Sequence, residues 1–156
     1  MEEQGGAWKS REEEGEGRKR GEEQGMARMS GEGHGYKKLI VWQNAKKLRK
    51  LIYDITGRFP RAEMRRVSQM RDAARSGKQN IQEGYYRPGT KEYIRYLIIS
   101  RGSINELSGD IDDCLEDKLI TKEKFQELDK LCGTTDYLLK RLIASIRKKE
   151  KEGTWK

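Results

Sequence analysis

Apolar residues are nearly absent before Tyr36 and recur at helical intervals after it. Val41, Ala45, Leu48, Ile52 and Ile55 follow one another at spacings of three and four, the period of one face of an α-helix. They predict a first helix over residues 39–56, with Gly57 at its C-cap and Pro60 blocking continuation. A second stripe, Val67, Met70, Ala74, Gly77 and Ile81, predicts a helix over 64–83 that Gly84 ends. Its small residues allow a neighbouring helix to come close.

After a turn at 85–89, Thr90 is the expected N-cap of a third helix reaching Asp117, with Glu92 in its first turn suiting the macrodipole. Its inward set reads Ile94, Leu97, Ile98, Ile104, Leu107, Ile111, Cys114 and Leu115. Thr121 is the expected cap of a fourth helix reaching Lys149. Its stripe reads Phe125, Leu128, Leu131, Cys132, Thr135, Leu138, Leu142 and Ile146. The links at 57–63, 84–90 and 118–121 are short, so consecutive helices run antiparallel. No strand pattern competes. The fold class is therefore all-α, an antiparallel up-down-up-down four-helix bundle over 36–149, followed by a polar C-terminal tail over 150–156. Gly102 and Gly109 each weaken the third helix by roughly 1 kcal/mol relative to Ala. Both point to close helix–helix approach, within the bundle or between subunits.

Residues 1–35 have a different composition. They are mostly Gly, Glu, Arg, Lys and Gln, and hold nine of the 17 glycines. Such a segment buries too little apolar surface to offset its ordering entropy, so a disordered tail is expected, with Trp8 as an isolated aromatic. Gly, Glu, Lys and Arg all have purine-only codons. Residues 15–23 therefore also read as a translated purine-rich leader, which makes Met29 or Met26 the expected natural start.

The charge divides along the same boundary. The whole chain carries +8, from 34 Lys+Arg and 26 Asp+Glu. Residues 1–35 hold 6 basic and 9 acidic residues, so residues 36–156 hold 28 and 17 and carry +11. A domain this basic favours a polyanion, nucleic acid or an anionic membrane surface; the plainer alternative is a set of solvated Lys/Arg faces.

Little else in the chain suggests chemistry. The single histidine, His34, lies in the tail, which leaves the folded part without a Ser/His or Cys/His pair or the Glu-x-x-His motifs of a di-iron bundle. No phosphate loop is present, and Gly15-x-Gly17 follows no strand. The acidic run Asp110, Asp112, Asp113, Glu116, Asp117 lacks the internal Gly of a calcium loop and reads as a solvated helix face. Cys114 and Cys132 form no CxxC pair and lie on apolar stripes, as buried free thiols. The N-terminus has no apolar signal segment, and the apolar run around residues 97–99 is far too short to span a bilayer. A non-catalytic cytoplasmic protein without cofactor, metal or membrane partner is expected.

The basic residues are more informative. Arg71, Arg75 and Lys78 stand at i, i+4 and i+7, one side of the second helix. Arg87 and Lys91 follow, interleaved with Tyr85, Tyr86, Tyr93 and Tyr96. Guanidinium groups grip phosphates and Tyr rings stack on unpaired bases. We expect Arg71, Arg75, Lys78, Arg87 and Arg95 to form the main nucleic-acid contact, to RNA or DNA without sequence preference. Pairing of some of them with Glu83 or Glu92 in a subunit interface is the alternative. A second basic row, Lys140, Arg141, Arg147 and Lys148, reads as a solvated face of the fourth helix.

Several blocks now stand in a recognisable order: Tyr36-Lys-Lys-Leu-Ile-Val-Trp42-Gln43-Asn-Ala45, Phe59-Pro60, Asn80-Ile81-Gln82-Glu83-Gly84-Tyr85, Lys91-Glu92-Tyr93-Ile94-Arg95-Tyr96-Leu97 and Gly102-Ser103-Ile104-Asn105-Glu106-Leu107. Over residues 36–146 the chain resembles the bacterial four-helix-bundle proteins encoded within intervening sequences of large-subunit ribosomal RNA genes. Two positions depart from that pattern. Gln82 stands where the family commonly has Ala, and Gly77-Lys78 where it commonly has Ile-Pro, so a straighter second helix is expected. The resemblance implies a homo-oligomer, a ring of five, similar in architecture to the retroelement accessory proteins that bind nucleic acid and a reverse transcriptase. It implies no settled enzymatic activity. An RNA-associated oligomeric scaffold is the leading expectation, and a purely protein-binding or structural homo-oligomer the alternative.

Overall fold

The computed structural model describes residues 35–153. Residues 1–34 of the expected N-terminal tail, with Trp8, His34 and the starts Met26 and Met29, lie outside these residues, as do residues 154–156. One 3-10 turn, Gly35–Lys38, precedes four helices: α1 (Ile40–Thr56), α2 (Met64–Tyr85), α3 (Thr90–Glu116) and α4 (Lys122–Lys151). No strand occurs among the described residues. From Val41 onward the helices form one compact unit.

Contacts fix each neighbouring pair as antiparallel. Trp42 meets Gln82 and Thr56 meets Arg71 between α1 and α2. Met70 meets Cys114 and Gly77 meets Ser100 between α2 and α3. Arg101 meets Asp136, and Thr90 meets Glu150, between α3 and α4. The chain is thus the expected up-down-up-down bundle. Fully buried Leu48, Met70, Ile104 and Leu139, one from each helix, mark its core. Thr121 caps α4 as expected, its hydroxyl accepting from the Lys124 N–H at 3.1 Å.

Four sequence expectations are corrected. Gly84 does not end α2, which continues to Tyr85. It is a contact glycine instead, since a Cβ there would stand 2.8 Å from Tyr96 Cβ. Thr90 is the first residue of α3 rather than its cap, and its hydroxyl donates to the Glu150 carboxylate at the end of α4. Ile98 is 47% exposed, and the inward place beside it belongs to Ser100, fully buried. A hydrophobic pattern passes over Ser100, but its hydroxyl donates to the Gly77 carbonyl at 2.6 Å, which removes the penalty for burying it.

The fourth correction is in α4. There Leu139 and Ile143 are buried, while Leu138 and Leu142 are only half-buried. Successive residues point about 100° apart. The straight stripe through Leu128, Cys132 and Thr135 therefore continues to Leu139, and stepping to Leu138 drifts off the face. Gly102 and Gly109 face open space within the subunit, so close approach inside the bundle is not their reason.

Candidate nucleic-acid interface

Three of the five expected contact residues stand together. Arg71, Arg75 and Lys78 share the flank of α2 that faces α1, in one row with Gln82. A matching row on α1, Trp42, Lys46, Arg49 and Tyr53, has the same spacing and runs the opposite way. Its ends are fixed by contact. Trp42 Nε1 donates to Gln82 Oε1 at 2.9 Å. At the other end Arg71 donates to the Tyr53 carbonyl at 3.2 Å and to the Thr56 hydroxyl at 2.9 Å. That register places Arg75 opposite Arg49. Among the described residues, these two rows hold five cations and no carboxylate.

Aromatic rings hold several of these cations in place. The guanidinium groups of Arg49 and Arg71 lie 4.4 and 4.5 Å from the Tyr53 ring centre. The ammonium groups of Lys46 and Lys78 lie 5.5 and 5.8 Å from the centre of the buried Trp42 ring. Such placement is favourable and reduces the freedom a long basic side chain loses on binding. Gln82 Oε1 also accepts from Lys78 Nζ at 2.9 Å, so one amide oxygen serves both rows. This is the position where the resembled pattern has Ala. Gly77 and Lys78, the other departure, lie within α2, which runs for 22 residues.

The remaining expected residues lie elsewhere. Arg87 stacks 4.9 Å from the Tyr96 ring centre and pairs with Glu83 at 2.9 Å, on the α3 side of α2. Arg95 is exposed on the outer face of α3. The tyrosines do not form an open stacking platform. Tyr93 is buried, Tyr85 meets Tyr86 and Tyr93 edge to face, and Tyr86 is the exposed member, at 49%. Lys46, Arg49, Trp42 and Tyr53 were missed by the sequence reading, although the same i, i+4, i+7, i+11 row is visible there once α1 is drawn as a helix.

The acidic run contrasts with the groove. Asp117 pairs with Arg66 at 2.8 Å, and Asp112 and Asp113 are exposed. Among the described residues no cluster of His, Cys, Asp or Glu could hold a metal ion, and no helix is long and apolar enough to cross a membrane. Cys114 and Cys132 are buried and unlinked. Burial pushes both thiols up, Cys132 to about 12 with help from Asp129 and Asp112, so each is a poor nucleophile.

Comparison with known proteins agrees with this fold. A solved structure from Bacteroides thetaiotaomicron, described as a protein of unknown function from the S23 ribosomal protein family, superposes with a TM-score of 0.62 at 19% identity. The match covers 67% of this chain and 98% of that one. No curated protein sequence matches. Residues 37–141, from the 3-10 turn to the middle of α4, match the family model of the 23S rRNA-intervening sequence protein, and the chain belongs to that family.

Proposed function

We propose that the protein is a non-catalytic scaffold that grips the phosphate backbone of RNA or DNA in the α1–α2 groove, as an assembly of several copies. The observation that carries this reading is the pair of facing rows, which hold Lys46, Arg49, Arg71, Arg75 and Lys78 and, among the described residues, no acid. Cations held on rings, without an open base-stacking platform, suit phosphates rather than base edges, hence binding without sequence preference. The family name ties these proteins to 23S ribosomal RNA, which makes RNA the first polyanion to test. Assembly into a ring, five copies by the resemblance, would repeat the groove and join weak contacts through high effective concentration. A cytoplasmic setting and a protein partner such as a reverse transcriptase belong to the same reading.

The test is a salt titration of single-stranded RNA binding with the full chain and with Lys46→Gln/Arg49→Gln/Arg75→Gln. This set leaves Arg71 and Lys78 in their hydrogen bonds. Each phosphate contact contributes about 0.7 to the slope of log affinity against log salt for a single strand. The triple variant should bind at least tenfold more weakly at moderate salt, with a slope shallower by roughly 2. Unchanged affinity and slope would remove the groove from the reading. RNA binding that is absent altogether would favour the protein-binding scaffold.

A further inference from the structure

The α2 row of the groove continues past Gln82. Tyr86, the C-cap residue of α2, stands four residues further on. At about 100° per residue it points within about 20° of the direction of Arg75. Its ring therefore stands on the groove's flank of the helix, about 6 Å beyond Gln82 along the axis. The side chain is 49% exposed. Tyr85 meets the ring edge to face at 5.5 Å and itself rests on buried Tyr93, so the exposed ring has a fixed support. Arg87 turns the other way, onto Tyr96 and Glu83, which occupies the acid nearest to Tyr86 in the sequence.

The groove and this ring are continuous. Lys46 and Lys78 lie at the Trp42 end of the groove, and Gln82 joins Trp42 and Lys78 there. A strand whose phosphates rest on these two ammonium groups carries its next bases past Gln82 to Tyr86. Stacking on a tyrosine ring is favourable for every base, so it reads no sequence. It does require an uncovered base face. In a duplex the neighbouring bases cover that face, and an A-form helix presents hydroxyls and edges instead. One ring at the mouth of a phosphate groove therefore separates single strands from duplexes. The cations alone would not, because a duplex presents its phosphates more densely than a single strand does.

We propose that Tyr86 is the residue that makes the groove prefer single-stranded nucleic acid, by stacking one unpaired base as the strand leaves the groove past Gln82. This rests on the reading of the groove as a phosphate site and names the form of nucleic acid it takes.

The experiment measures binding of the full chain to a single-stranded oligouridylate carrying 2-aminopurine and to an RNA duplex of the same length. Stacking on an aromatic ring quenches 2-aminopurine fluorescence. The native chain should quench it. Tyr86→Ala should lose the quenching and bind the single strand roughly five- to a hundredfold more weakly, with the duplex affinity unchanged. Its salt slope should match that of the native chain, because no phosphate contact is removed. Tyr86→Phe keeps the ring and should behave as the native chain does. Unchanged single-strand binding by Tyr86→Ala overturns the proposal, as does an equal loss on strand and duplex, which would mark Tyr86 as a support of the fold. Tyr86→Phe behaving like Tyr86→Ala overturns it too, by assigning the effect to the hydroxyl. If Lys46→Gln/Arg49→Gln/Arg75→Gln binds normally while Tyr86→Ala loses the single strand alone, the groove reading falls and the stacking ring stands. A native chain that binds neither RNA overturns both.

Discussion

Gly84 on α2 and Tyr96 on α3 stand so close that a methyl group on the glycine would lie 2.8 Å from Tyr96 Cβ and 3.2 Å from the Tyr93 carbonyl oxygen. Neither atom can swing away, because one is fixed to the backbone and the other belongs to it. Gly77, one heptad earlier on the same side, meets Ile104 Cδ1 at 2.6 Å by the same measure. The two helices therefore approach along a line of missing side chains, and Ser100 bonding to the Gly77 carbonyl tightens it.

Gly84→Ala should accordingly cost about 1–3 kcal/mol through overpacking, despite the better helix propensity of Ala. Gly133→Ala on the exposed side of α4, where a Cβ meets nothing within 4 Å, should gain about 0.5–1 kcal/mol. Chemical denaturation of the two variants checks the contrast. Equal effects would mean that the α2–α3 approach relaxes freely.

The second pair of variants separates structure from binding within the groove. Arg71 bonds the Thr56 hydroxyl and the Tyr53 carbonyl, so it ties the end of α1 to α2. Arg71→Gln should cost about 1 kcal/mol of stability as those bonds are lost. Arg75→Gln, at an exposed position, should change stability by less than about 0.5 kcal/mol. In RNA binding Arg75→Gln should still show a loss. A large stability loss from Arg75→Gln would mark it as a structural residue like Arg71.

These contacts show what the sequence could and could not disclose. The four helices, their order and their antiparallel links follow from apolar spacing and turn residues. Spacing also placed Arg71, Arg75 and Lys78 on one side. It could not show that this side faces Trp42 and Tyr53, because which flank of α2 meets α1 depends on how far the backbones approach. Ser100 and Leu139 were misjudged for a related reason. A buried hydroxyl carries no apolar signal, and adjacent leucines at 138 and 139 both satisfy a three-or-four rule. Gly84 resembles a helix end in a sequence because glycine serves both as a stop and as a place of close contact.

Asp110 offers a test by pH. It is half-buried, and its Oδ2 meets no donor among the described residues. Burial pushes its pKa up, Glu106 and Asp113 add to this, and Arg66 opposes it. A carboxyl whose folded pKa lies above its unfolded value binds its proton more tightly when folded. Stability therefore falls as pH rises from the unfolded value of about 3.9 through the folded one, and the full cost is present at neutral pH. Asp110→Asn should raise the thermal midpoint at pH 7, and the difference should vanish as pH falls below about 4. A lower midpoint at pH 7 would show that attraction to Arg66 outweighs burial.

Lys118 closes α3 in the left-handed region, with φ of 61°. The end has the hydrogen bonds of a Schellman motif. The Leu119 N–H donates to the Cys114 carbonyl at 2.8 Å, and the Lys118 N–H to the Leu115 carbonyl at 3.0 Å. Two of the helix's last carbonyls are thereby satisfied, which holds a lysine where glycine is the usual residue. A side chain in this region brings Cβ against the following carbonyl, at roughly 1–2 kcal/mol. Lys118→Gly removes that strain but gives the unfolded chain more freedom, so the net gain should be about 0.5–1 kcal/mol. Lys118→Val, with branching at Cβ, should instead destabilise the protein. Thermal midpoints of the three proteins should fall in the order Gly, Lys, Val, the first step being roughly 2–4 °C. If glycine lowers the midpoint, the lysine stem contributes more by lying along the α3–α4 link than its backbone costs.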